Sequence, residues 1–265
     1  MRQPSIKCFS AVLMVAVFLM ASTQATALTI HEIDKTCPLC KTEFKAQLAG
    51  SGTQFGMRLD LKPLGAIAAP WPVAVCPKCH FVLLGNDLND TDLETLRAYV
   101  QTKEYQAWGK TRSSHFLMAK LLATLGRDDI TLAHVYLKAS WQEEGENKFL
   151  TEDLQLSLKH FEEHLKAGPP TNTKNADEEQ KEDKAASAYQ TAQLLKGELL
   201  RRLMRFDEAI AHLQALLKQE PFQKNFLGDI VAYEMRLCNQ KDAEPHEVYE
   251  AHTDKNSEQP PERDK

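Results

Sequence analysis

The chain carries little glycine, 11 residues in 265, and none of it forms the rich loop whose backbone N–H groups cradle a phosphate. It has no G-x-S-x-G nucleophile turn and no H-E-x-x-H pair. Positive charge is not in excess: 32 Lys and Arg stand against 37 Asp and Glu, a formal net charge of −5. A nucleic-acid footprint needs a basic stripe, so no nucleic-acid partner is expected. Aromatic residues make up 8%, which does not suggest a carbohydrate cleft. Long hydrophobic runs are missing too. The run from Ala11 to Ala21 is shorter than the roughly 20 residues that cross a bilayer. No catalytic constellation emerges, and no enzyme activity is expected.

That short run has a different meaning. Arg2 and Lys7 precede its centre, and Ala25-Thr26-Ala27 follows it. A basic start, a short apolar stretch and an A-x-A site form a secretory signal peptide, here residues 1–27. The expected mature chain begins near Leu28, is periplasmic or otherwise extracytoplasmic, and keeps no membrane anchor. Cys8 lies ahead of the run, not after it, so it does not read as a lipoprotein cysteine.

Two cysteine motifs stand out in what is there. Cys37-Pro38-Leu39-Cys40 and Cys76-Pro77-Lys78-Cys79 are both C-P-x-C. A tight turn lets two thiolates converge on one ion, and proline stiffens that turn. Two such turns give a closed four-sulfur shell, so Cys37, Cys40, Cys76 and Cys79 are the expected ligands of one structural zinc. Neither motif opens a helical pattern, as a redox C-x-x-C normally does. Export favours disulfides, and the same four residues could form two of them. A C-x-x-C bridge closes a very short loop and gains little entropy, which favours metal. Cys238 is expected to be a small buried residue on a helix.

The spacer between the motifs is longer than the roughly 15–20 residues of a usual zinc ribbon. Phe44–Leu48 and Phe55–Leu61 read as strands with Gly50-Ser51-Gly52 as their turn, predicting a hairpin inside the spacer. Pro63, Pro70 and Pro72 then make an irregular return, where Trp71 is expected to pack. The module spans residues 28–85.

Residues 86–252 change to a helical pattern. Thr91-Asp92-Leu93-Glu94 reads as a capping box opening the first helix. Further helices are expected at about Arg112–Leu125, from Asp128 or Asp129 to Glu144, Lys148–Lys166, Ala185–Met204, Asp207–Gln219 and Asn225–Asn239. The polar stretch 170–184 reads as a solvated loop or disordered insert, and the charged tail 253–265 as disordered. His115, His134, His160 and His164 lie in the helical part. Only His160 and His164 have the i, i+4 spacing of two ligands on one face, and they are expected to be solvated.

Gly197, Leu200, Ala209, Leu213 and Pro221 fall on the 34-residue tetratricopeptide frame, with Phe206 at the turn. Trp141, Gly145, Ser157, Phe161 and Pro169 fit it earlier, displaced by one repeat plus about the length of the polar stretch. Glu144, Lys148, Gln193 and Lys196 depart from it. Gly197 sits well inside a helical run and is expected to meet Ala209 where two helices cross.

Together these segments resemble bacterial domain-of-unknown-function family 2225. The resemblance rests on Cys37–Phe44 (C-P-L-C-K-T-E-F), C-P-K-C at Cys76–Cys79, A-S-W at Ala139–Trp141, G-E-L-L-R-R-L at Gly197–Leu203 and F-D-E-A-I at Phe206–Ile210. It implies a zinc-ribbon-like N-terminus and a tetratricopeptide-like C-terminus, and it supplies no activity. His80 stands where such knuckles commonly have glycine, so that turn is expected to differ. The fold expected is mainly α, a small four-cysteine zinc-knuckle and β-hairpin module followed by tetratricopeptide-like antiparallel helical hairpins. The expected function is a scaffold that binds an unidentified protein or peptide on the helical concave face, with a thiol–disulfide or metal-handling protein as the alternative.

Overall fold

A computed structural model describes residues 28–85, 88–145, 148–169, 176–223 and 226–257, without side-chain detail for 176–183, 252 and 254–257. The expected signal peptide lies outside the described residues. The fold is mainly α. Strands β1 (Leu28–Thr36), β2 (Glu43–Gly52), β3 (Gln54–Met57) and β4 (Pro63–Gly65) precede nine helices among the described residues. These are α1 (Asp90–Val100), α2 (Lys103–Trp108), α3 (Ser114–Thr124), α4 (Asp129–Glu143), α5 (Leu150–Lys166), α6 (Ala176–Arg202), α7 (Phe206–Leu216), α8 (Phe226–Asn239) and α9 (Val248–Ser257). From α3 on, each packs against the next in sequence, as short connections between helices require. No helix among the described residues is long and apolar enough to cross a membrane.

The strands pair differently from the hairpin expected inside the spacer. β2 runs through Gly50–Gly52 and pairs antiparallel with β1, from Thr36 opposite Glu43 to Leu28 opposite Gly52. The first cysteine turn is therefore the hairpin loop. Gly52 has no room for a side chain because another chain segment approaches it. A Cβ there would stand 2.7 Å from the Ile67 backbone. The later segment splits into β3 and β4, joined by the turn 58–62.

Helix boundaries follow their caps. Asn89, not Thr91, caps α1: its side chain accepts from Asp92 N–H at 2.9 Å, and the Asp92 carboxylate accepts from Asn89 N–H. The box lies two residues earlier than expected because asparagine caps as well as threonine or better. Thr102 and Ser113 cap α2 and α3, and Asp128 caps α4. Gly126, Gly145 and Gly168 follow helix ends with φ of 65°, 99° and 78°, a region that favours glycine.

Two expected irregular segments contain helix. α6 begins at Ala176, so residues 176–184 of the polar stretch are helical. Their Glu, Lys, Gln and Ala content favours helix, and low apolar content does not oppose it. Residues 170–175 lie outside the described ones. In the tail, α9 continues to Ser257, and 258–265 lie outside the described residues.

The N-terminal module shares a core with the helices. Cys37, Leu39, Cys76, Phe81 and Val82 are buried in one cluster with Leu96, Val100, Phe116 and Tyr136. A second fastening is polar. Asp60, in the turn before β4, takes Arg58 Nε at 3.1 Å and Trp141 Nε1 at 3.1 Å, with Arg202 at 3.7 Å. Glu144 pairs with Arg58 at 2.7 Å and with Lys62 at 2.5 Å. Leu59 N–H donates to His246 C=O at 2.9 Å, pinning the same turn to the segment before α9.

Candidate metal centre

The two cysteine turns are built alike. In the first, Cys37 N–H donates to Thr42 C=O and Lys41 N–H to Cys37 C=O, both at 2.9 Å. In the second, Cys76 N–H donates to Phe81 C=O and His80 N–H to Cys76 C=O, again at 2.9 Å. Lys41 and His80 occupy the same place with φ of 58° and 60°. The difference expected at His80 is absent, since histidine adopts the left-handed conformation that glycine would take. Each turn reverses a strand-like pair: Thr36 faces Glu43, and Val75 faces Val82.

Facing each other, the turns bring together all four predicted cysteines. Every pair of sulfurs lies within 4.8 Å. Cys37 Sγ is 3.7 Å from Cys79 Sγ, and Cys40 Sγ is 3.5 Å from Cys76 Sγ. A tetrahedron with metal–sulfur bonds of about 2.3 Å places its sulfurs about 3.8 Å apart. A disulfide needs about 2.05 Å, and all four residues are free thiols. The donor set therefore fits a metal ion. Cys37 and Cys76 are fully buried, while Cys40 and Cys79 are partly so.

The sulfurs differ electrostatically. Burial pushes the Cys37 and Cys79 thiols up, Cys79 most. At Cys40 burial acts the same way, but the Thr42 hydroxyl, the Thr42 backbone N–H and the neighbouring thiols outweigh it and bring the thiol down to about 6. Thr42 Oγ1 lies 3.2 Å from Cys40 Sγ.

Helix α2 clamps the second turn from outside. Tyr105, fully buried, donates its hydroxyl to His80 C=O at 2.9 Å. Gln106 Nε2 donates to Cys79 C=O at 3.1 Å. Gly109 makes room for the His80 ring: a Cβ there would stand 2.3 Å from His80 Cγ. Thr42, Tyr105, Gln106 and Gly109 escape the sequence reading. No spacing rule links an exterior helix to a cysteine turn.

Other predicted residues do not join the site. Cys238 is buried on α8, its thiol pushed up to about 12 by burial. Trp71 lines a separate cavity and does not lid the cysteines. His160 is not solvated as expected. Its Nδ1 lies 2.7 Å from Asp129 Oδ1, and its ring stacks on Tyr136 at 5.5 Å. His164 lies 6.3 Å from the Tyr189 ring. Among the described residues, the four cysteines are the one group that could hold a metal.

Comparison with protein-family models, with curated proteins and with solved structures finds no match.

Proposed function

We propose that this protein is an exported binding scaffold whose four cysteines hold one structural zinc. The observation that carries the reading is the sulfur spacing, 3.5 Å and 3.7 Å across two equivalent turns, with two of the four thiols fully buried. Zinc accepts four thiolates in a tetrahedron and leaves no open position for substrate. The ion would tie the β1–β2 hairpin to the return segment, against helices that share its core.

The binding role belongs to the helices. Support comes from α6 and α7, which pack together with Gly197 facing Leu213 across them, the close contact that a tetratricopeptide-like hairpin needs. The earlier pair, α4 and α5, departs from that frame: Gly145 lies in the connection at φ 99°, outside any helix. In this reading the array is a tetratricopeptide-like variant, as the resemblance to family 2225 implies, and its helices offer a face to a protein or peptide.

A metal and thiol count on the purified protein tests the reading. One zinc per chain, with four thiols that resist alkylation until a chelator is added, is the expected result. A native protein without metal, or with Cys40 and Cys79 alkylated at once, would overturn structural zinc and favour thiol–disulfide or metal-handling chemistry.

A further inference from the structure

A second cavity lies away from the cysteines, between the return segment 61–73 and helices α3 and α4. Its volume is about 430 Å³, inside the roughly 300–1,000 Å³ range of small-molecule sites. Trp71, Met118 and Trp141 give it aromatic and thioether walls, and His115 and Lys138 add its polar groups. Trp141 directs its N–H to Asp60, so it offers the cavity ring surface rather than a donor. Trp71 is 41% exposed, a large apolar side chain not covered by the protein. Lys138 is exposed at the rim.

His115 is the informative group. It is only 4% exposed. Gln142 Oε1 accepts the His115 backbone N–H at 3.0 Å, which identifies that amide atom as oxygen. The His115 Nδ1, 3.1 Å from the same oxygen, must then carry the ring proton. Burial holds the imidazole down to about 4, so the ring is neutral at ordinary pH. Nε2 is left as a bare acceptor, and no described residue donates to it. The atom is not sealed from solvent, so water supplies the donor until a ligand entering the cavity replaces it.

We propose that this cavity binds a small planar aromatic acid that carries a ring N–H. The ring lies against the indole faces of Trp71 and Trp141, the N–H donates to His115 Nε2, and the carboxylate meets the Lys138 ammonium at the rim. Aromatic faces pack with a planar ring, and an acceptor inside with a cation outside selects a donor and an anion on opposite ends. This site is independent of the metal reading.

Titration calorimetry with indole-3-acetate, alongside naphthalene-1-acetate as a probe of similar size without the N–H, tests it. Saturable binding of the indole is expected, at least tenfold tighter than the naphthalene, because a site built to hydrogen-bond a donor rejects the analogue lacking it. Lys138→Gln, an exposed change that leaves the fold intact, should weaken indole-3-acetate several-fold and leave uncharged indole unaffected. Nitrogen-15 spectra should show the His115 Nε2 signal move on binding. No binding of either acid, equal affinity for both, or an unmoved Nε2 signal would each overturn the proposal.

Discussion

Gly197 occupies a point where three helices meet. A Cβ there would stand 2.7 Å from Leu213 Cδ2 and 3.0 Å from Glu234 Oε2. The close approach expected for this glycine is real, but its partners are Leu213, one turn beyond Ala209, and a buried carboxyl on α8. That carboxyl is held far above the ordinary carboxylate range by burial, with Glu198 adding to it against Arg201. Gly197→Ala gains about 0.5–1 kcal/mol of helix propensity but must displace both Leu213 and the buried Glu234, so a net loss is expected. Gly197→Leu should overpack and cost about 1–3 kcal/mol more. Thermal melts of both variants check this, and an alanine variant as stable as the parent would place the crossing elsewhere. His115 gives a pH signature at the same scale. Its folded pKa, about 4, lies below the unfolded 6.5, so its contribution is complete above pH 6.5 and lost as pH falls toward 4. Asp153, raised to about 7 by burial against the pull of Arg112, gives the opposite slope. The comparison with His115→Gln isolates the histidine: the stability advantage of the parent should shrink by up to about 2 kcal/mol between pH 7.5 and pH 5. Parallel pH profiles for the two proteins would refute the buried neutral ring.

At the scale of elements, α2 is short but holds the second cysteine turn by two side-chain hydrogen bonds to carbonyls, from Tyr105 and Gln106. Tyr105→Phe removes one bond without changing the ring and should cost about 1 kcal/mol. It should also speed transfer of the proposed zinc to a chelator, because the turn bearing Cys76 and Cys79 is held less firmly. A release rate equal to the parent's would show that α2 packs on the turn without stabilising it. The start of α6 tells the opposite story. Among its described side chains, which begin at Lys184, the first fully buried is Ala192, and residues 176–183 include one apolar residue, Ala176, so deleting them should lower helical circular dichroism while moving stability by no more than about 0.5 kcal/mol. A large fall in melting temperature would mean that these first turns dock on the rest.

For the whole molecule, the question is whether the cysteine module and the helices unfold together. Buried residues of both belong to one cluster, and Asp60 ties the spacer to α4 and α6 through Trp141 and Arg202. Stripping the proposed zinc should therefore lower the melting temperature of the helical signal itself, in one transition, since metal-binding free energy is folding free energy in such modules. Two separate transitions would show independent units. Asp60→Ala should be severe, about 3–5 kcal/mol, because it leaves Arg58 and Arg202 buried with less negative charge between them.

Much of this was legible in the chain because local chemistry decides it. C-P-x-C turns converge thiolates wherever they stand, and the turn at His80 forms with histidine as it does with lysine at Lys41. Most helices between Asp90 and Asn239 follow from apolar periodicity, capping residues and terminal glycines, which act within a turn or two, whereas the separate α2 and the first turns of α6 do not. What local chemistry cannot specify is which distant segments meet. The partner of β2 is the strand before the Cys37–Cys40 turn, not one beyond the glycines at 50–52, because two neighbouring candidates of similar propensity compete and propensity alone does not choose between them. The same holds for Gly109 under His80, for Gly197 against Glu234, and for Asp60 beneath Trp141. Each depends on burial created only once the helices have packed, where a single missing Cβ or one charge-paired carboxylate becomes the difference between contact and collision.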